Sequence, residues 1–120
     1  MTSYVEQLGG EGRLRMVVGA FVDRMAQDQM IGFFFRRVPL PALKEREFEH
    51  AAAHLGSDIA YRGRPLRAAH GKLGILAGQF RRRLVLLEEV LAEFGAPPAV
   101  VNAWLAHQRR QEAEVRPQAC

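Results

Sequence analysis

The chain has 120 residues, 48% of them hydrophobic and 25% charged, which is typical of a single folded domain. Seventeen lysines and arginines against thirteen acidic residues give a net charge of +4, too small an excess to indicate nucleic-acid binding. One cysteine, Cys120, excludes an internal disulfide, and there is neither an apolar run of transmembrane length nor a signal-peptide pattern. We expect one cytoplasmic domain over residues 1–120 that binds no membrane, with a C-terminal tail from about residue 110 that frays.

Apolar residues follow helical spacing along the chain. A first long helix carries a core-facing stripe formed by Leu14, Val17, Val18, Phe21, Val22 and Met25. A second helix has an apolar face formed by Phe48, Ala51, Ala52 and Leu55. A third long helix, with apolar steps of four and three, carries Phe80, Leu84, Leu87, Leu91 and Phe94. Gly95 ends that helix, and Pro97 and Pro98 begin another, which turns Val100, Val101, Trp104 and Leu105 inward. The sequence predicts an all-α fold of about five helices, with a short irregular stretch over 58–65.

Three polar residues share one face of the second helix: Glu47, His50 and His54. A carboxylate and two imidazoles can hold iron or zinc, and Glu-x-x-His spacing occurs in metal sites of helical bundles. Such di-metal sites use a second motif of the same kind, which this sequence lacks. The pattern therefore favours a polar, pocket-lining face, with a non-haem metal site as the alternative.

Two further patterns contain a histidine or a run of arginines. His70 ends a short helix that Pro65 is placed to begin and that Gly71 limits, so it is either a partly exposed helix-end histidine or a ligand facing a pocket. The triplet at 81–83 is all arginine, and consecutive helical residues point in different directions. We interpret the triplet as a solvated face rather than a nucleic-acid footprint.

These residues together resemble a group I truncated haemoglobin over roughly residues 4–107. The resemblance starts at Tyr4 and the Leu-Gly-Gly at 8–10, and continues through Val17-Val18, Phe21 and the three phenylalanines at 33–35. Leu43-Lys44 and the stretch 51–56 follow, and the most specific part is Tyr-Arg-Gly-Arg-Pro-Leu-Arg-Ala-Ala-His at 61–70. The Leu-Gly-Ile at 73–75, Phe80, and the Phe94-Gly95 and Pro97 between the last helices complete it.

The resemblance implies a shortened globin fold, a two-over-two helical sandwich around haem b. It implies that His70 is the proximal iron ligand and that Phe35 packs against the haem. Four cations match positions near the pocket mouth, where they would pair with the haem propionates: Lys44, Arg46, Arg67 and Lys72.

The departures from the family pattern lie on the ligand side of the haem. Val22 stands where oxygen-binding members carry tyrosine, Glu47 stands where they carry glutamine, and Leu43 keeps the usual apolar neighbour. A valine donates no hydrogen bond, so the sequence predicts rapid oxygen release. A buried Glu47 could donate as a neutral acid, or move a proton during peroxide cleavage, unless Arg46 or His50 pairs with it.

Three functions follow from the sequence. The first is a haem protein that binds a diatomic gas or peroxide at iron, with an unidentified reductase as a further partner. The second is peroxidase-like or redox chemistry in which Glu47 is the catalytic acid–base group. The third is a globin-shaped module without haem that acts in protein interaction or sensing. The oligomeric state is left open.

Overall fold

The computed structural model describes residues 2–57 and 74–115, and every regular element within these two stretches is helical. The elements are α1 (Tyr4–Leu8), α2 (Glu11–Gln27), a 3-10 helix (Gly32–Phe35), α3 (Leu40–His54), α4 (Ala77–Glu93), α5 (Pro98–Arg110) and α6 (Glu112–Val115). The all-α prediction is confirmed. The irregular stretch over 58–65 and the short helix that Pro65 was expected to begin lie outside the described residues.

Helix α2 is the element around which the others pack. It starts after Gly9 and Gly10, whose positive φ angles of 122° and 99° suit residues without a side chain. All six residues of its predicted apolar stripe are at most 1% exposed. That buried stripe lets α2 contact both α3 and α4, so it joins the two halves of the core.

The helices form two layers. Helix α2 packs on α3, α4 packs on α5, and the contact between α2 and α4 joins the pairs. Of the inward residues predicted for α5, Val100, Trp104 and Leu105 are buried, and Val101 is half-buried against the core. On α4, Phe80 and Leu87 are likewise buried. This is the two-over-two sandwich that the sequence predicted.

The turn after α2 is fixed by Asp28. Its Oδ2 accepts hydrogen bonds from the backbone N–H groups of Met30 (3.0 Å) and Ile31 (3.1 Å), and its Oδ1 accepts one from Arg82 Nη2 (2.8 Å). The Arg82 guanidinium, together with these backbone donors, holds the pKa of Asp28 below its usual range. The segment that leads to the 3-10 helix is thereby tied to α4.

The start of the expected C-terminal tail is helical. Helix α5 continues to Arg110 and is followed by the helical turn α6, and fraying beyond about residue 110 stays a prediction. Between these helices, the backbone N–H of Gln111 donates to the carbonyls of His107 (3.2 Å) and Gln108 (3.1 Å). Residues 116–120 lie outside the described part of the chain.

Helix α4 offers a matched test of the core. Leu87 is completely buried, whereas Val85, two residues away, is 45% exposed. We expect Leu87→Ala to lower the free energy of unfolding by about 2–5 kcal/mol, because it removes buried methyl groups and leaves a cavity. Val85→Ala should change it by less than about 0.5 kcal/mol. Urea unfolding followed by circular dichroism measures both, and equal losses would contradict the described orientation of α4.

Candidate functional site

Glu47 lies inside the helical sandwich beside an arginine of the facing helix. On α3, its side chain is 20% exposed, and its Oε2 is 3.3 Å from Nη2 of Arg83, a residue of α4 that is 18% exposed. The second carboxylate oxygen is 3.5 Å from the same nitrogen. The partners that the sequence suggested for Glu47 were Arg46 or His50. The ion pair instead joins α3 to α4.

Arg83 contacts residues of three other helices. Its Nε donates to Oε1 of the buried Gln108 on α5 (2.9 Å), and its Nη1 is 3.3 Å from Sδ of Met25 on α2. Its guanidinium carbon lies 5.0 Å from the centre of the Phe21 ring, also on α2, within cation–π distance. Arg83 and its contacts Phe21, Met25, Glu47 and Gln108 are referred to below as the arginine cluster.

Three of the predicted pocket residues are apolar side chains of the core region. Val22, next to Phe21, is completely buried. Leu43 lies one turn before Glu47 on α3 and is half-buried, as is Phe35 at the end of the 3-10 helix. All three belong to the hydrophobic core or pack against it. Their assignment to one pocket stays a prediction.

The two described cations at the predicted pocket mouth both have carboxylate partners. Lys44 Nζ is 2.9 Å from Asp23 Oδ1, and the Lys44 side chain is 36% exposed. Arg46 Nη1 is 3.0 Å from Oε1 of Glu49, whose side chain is only 1% exposed while that of Arg46 is 47% exposed. Both cations therefore remain accessible but already carry a counter-charge.

The three proposed site residues His70, Arg67 and Lys72 lie outside the described residues. Their assignment therefore rests on the sequence pattern.

Sequence reasoning missed Arg83, Gln108 and Glu49. The triplet at 81–83 was interpreted as solvated, which holds for the exposed Arg81 but is wrong for Arg83. A signal was present, because position 83 lies three residues after Phe80 and four before Leu87, on the buried face of α4.

Three of the four histidines, namely His50, His54 and His107, form a separate group between α3 and α5. The rings of His54 and His107 stack with centroids 3.1 Å apart, and the His50 ring centroid is 5.5 Å from that of His107. Nε2 of His50 is 2.9 Å from Nε2 of Gln111. Burial is the main cause that lowers the pKa of His54, and burial together with the other two imidazoles lowers that of His107 to about 4.

This arrangement disfavours the non-haem metal alternative. Glu47 pairs with Arg83, whereas His54 stacks on His107. Across residues 2–57 and 74–115, no three metal-binding side chains are grouped so as to hold an ion. Over the same residues, no helix is long and apolar enough to cross a membrane.

The chain is similar to known truncated hemoglobins in sequence and in fold. The sequence is 30% identical over 100 residues to a group 1 truncated hemoglobin of Mycolicibacterium paratuberculosis, covering 83% of this chain and 74% of that protein. The structure resembles ferric truncated hemoglobin of Tetrahymena pyriformis, with a TM-score of 0.83 and 22% identity over 94% of this chain and 96% of that one. It also resembles a Synechococcus 2/2 hemoglobin in the cyanomet state with covalently attached heme, with a TM-score of 0.87 and 20% identity over 94% and 97% of the chains.

The helical sandwich and its interior site thus define a protein with the truncated-globin fold. Residues 3–115 match the sequence model of the bacterial-like globin family, which is nearly the whole chain. The protein belongs to that family.

The half-buried histidines predict an acid sensitivity that one substitution reduces. His107 Nε2 is buried and has no hydrogen-bond partner among the described residues, and its pKa in the fold is about 4 against the ordinary 6.5. Above pH 6.5 both folded and unfolded chains hold this ring neutral. Between pH 6.5 and 4 the unfolded chain takes up a proton that the folded chain does not. The free energy of unfolding therefore decreases as the pH is lowered through this range.

We therefore expect the wild-type protein to lose more unfolding free energy than His107→Phe, by on the order of 1 kcal/mol, when the pH falls from 7 to 4.5. Phenylalanine keeps a stacking ring and removes the titrating group. Urea unfolding at both pH values measures the difference between the two proteins. Parallel losses would show that His107 titrates normally in the fold.

Proposed function

We propose that this protein binds haem b and uses it to bind a diatomic gas. The observation that carries the proposal is the match of residues 3–115 to the bacterial-like globin family, which spans both the described helices and the motif around His70. The names of its relatives, truncated hemoglobins, agree with this function. We also propose that the protein is located in the cytoplasm.

The described residues suit a flat apolar group with acidic substituents. Phe35 and Leu43 are half-buried at the border of the core, so their side chains are available to pack on such a ring. Val22 is completely buried on α2. We assign these three residues to the apolar wall of the haem pocket.

Cations at the edge of α3 would hold the acidic substituents. Lys44 and Arg46 are accessible, and we assign them, with Arg67 and Lys72, to the haem propionates. Asp23 and Glu49 compete for the first two cations, because each already pairs with one of them. Haem carboxylates would therefore share these cations with the protein's own carboxylates.

His70 is the residue that we assign to the iron. A neutral imidazole nitrogen is the usual proximal donor in globins, and a hydrogen bond to the other nitrogen sets the ring orientation. Bound haem supplies an open coordination position for a small ligand. Val22 and Glu47 are the residues that we assign to the ligand side of the haem, where Val22 would give bulk without a donor and Glu47 would be held by Arg83.

Substitution of His70 tests the proposal. His70→Ala should lose stable haem, because the iron loses its protein ligand, and added imidazole should restore part of the binding. His54→Ala is the matched control and should keep haem, because this imidazole is stacked on His107. The measurements are the Soret band of the purified protein and the ratio of haem to chain.

Two results would contradict the assignment. Wild-type protein that binds no haem would refute the proposed function and favour a haem-free globin module. His70→Ala protein with full haem and an unchanged spectrum would leave haem binding intact but move the iron ligand to another residue.

A further inference from the structure

Arg83 is a charged group in a place where charge is costly. Its side chain is 18% exposed and contacts residues of three other helices, two of them the apolar side chains of Phe21 and Met25. A guanidinium in such surroundings must be hydrogen-bonded or paired to be tolerated. The arginine cluster meets this requirement through Gln108 and Glu47, which lie on different helices.

The contacts of Arg83 leave donor capacity. A guanidinium has five N–H groups. Nε contacts Gln108, Nη1 contacts Met25, and Nη2 is within hydrogen-bond distance of both Glu47 oxygens. The contacts to Glu47 are long, at 3.3 and 3.5 Å, compared with 2.7–2.9 Å for a tight charged hydrogen bond. Nη1 therefore has a further N–H to offer a small acceptor, and the long contacts of Nη2 leave it able to turn to a better one.

The cluster lies where the ligand is expected. Glu47 occupies the position that the resemblance assigns to the distal glutamine, and Phe21 immediately precedes Val22. Arg83 contacts both Glu47 and Phe21. An ion-paired carboxylate accepts hydrogen bonds, so the donor on this side of the pocket is the arginine rather than Glu47.

We propose that Arg83 donates a hydrogen bond to the outer atom of the haem ligand, and that the site thereby favours small ligands that carry negative charge on that atom. This inference rests on the proposed haem function. A fixed cation in a poorly solvated pocket stabilises an anionic acceptor much more than a neutral one. Arg83 would supply the donor that Val22 cannot, and it would slow oxygen release relative to the same pocket without this guanidinium.

Fluoride and carbon monoxide separate these effects. Fluoride binds ferric haem as a compact anion and accepts strong hydrogen bonds, whereas carbon monoxide binds ferrous haem as a nearly neutral ligand. The test compares wild-type holoprotein with Arg83→Met at fixed pH by spectral titration. We expect fluoride affinity to fall about tenfold to a hundredfold, and carbon monoxide affinity to change by less than about threefold.

Two further variants make the result decisive. Arg81→Gln removes a positive charge from an exposed site on the same helix, and it should leave both affinities unchanged. The double variant Arg83→Met with Glu47→Leu removes both charges of the pair and adds no hydrogen-bond donor. It covers the case in which a lone buried carboxylate prevents folding, and it should show the same loss of fluoride affinity.

The outcomes distinguish this inference from the proposed function. A wild-type protein without a Soret band refutes both. Haem-bound wild-type and Arg83 variants with equal fluoride affinity overturn the role of Arg83 alone. An equal loss of fluoride and carbon monoxide affinity also overturns it, because that result indicates a general change of the pocket rather than a charge-selective donor.

Discussion

The partly buried guanidinium of Arg83 is the constraint on which the interior of this protein depends. A positive charge between layers of helices requires partners, and the partners come from three elements: Glu47 from α3, Gln108 from α5, and Phe21 with Met25 from α2. Removal of one partner would leave a buried charge or amide unsatisfied, which is costly. The contacts that hold the layers together thus also determine the polarity of the pocket.

Local patterns made the helices predictable. The apolar stripe of α2, the proline start of α5 and the end of α4 at Glu93, two residues before Gly95, all depend on residues close together in the sequence, and the structure shows each of them. The arginine cluster depends on contacts of Arg83 with Gln108 and Glu47, which lie 25 and 36 residues from it along the chain. An arginine within an arginine triplet is usually solvated, and only the facing glutamate and glutamine make its burial tolerable. The site chemistry therefore required the tertiary structure.

Polar groups among the described residues have different roles, which depend on the groups that each one contacts. At the rim, Lys44 and Arg46 each pair with a carboxylate, so incoming acidic groups must compete for them. Between α3 and α5, His54 and His107 stack, and burial is the main cause that lowers the pKa of each. Only the arginine cluster combines a cation with the residues that the resemblance places beside the ligand.

The most direct test of this account is the infrared stretching frequency of carbon monoxide bound to the ferrous holoprotein. A cation near the ligand oxygen draws electron density toward it and weakens the carbon–oxygen bond, so the frequency falls. We predict a lower frequency in the wild-type protein than in Arg83→Met, and no difference between the wild-type protein and Arg81→Gln. Identical frequencies in the wild-type protein and Arg83→Met would contradict the claim that Arg83 faces the ligand.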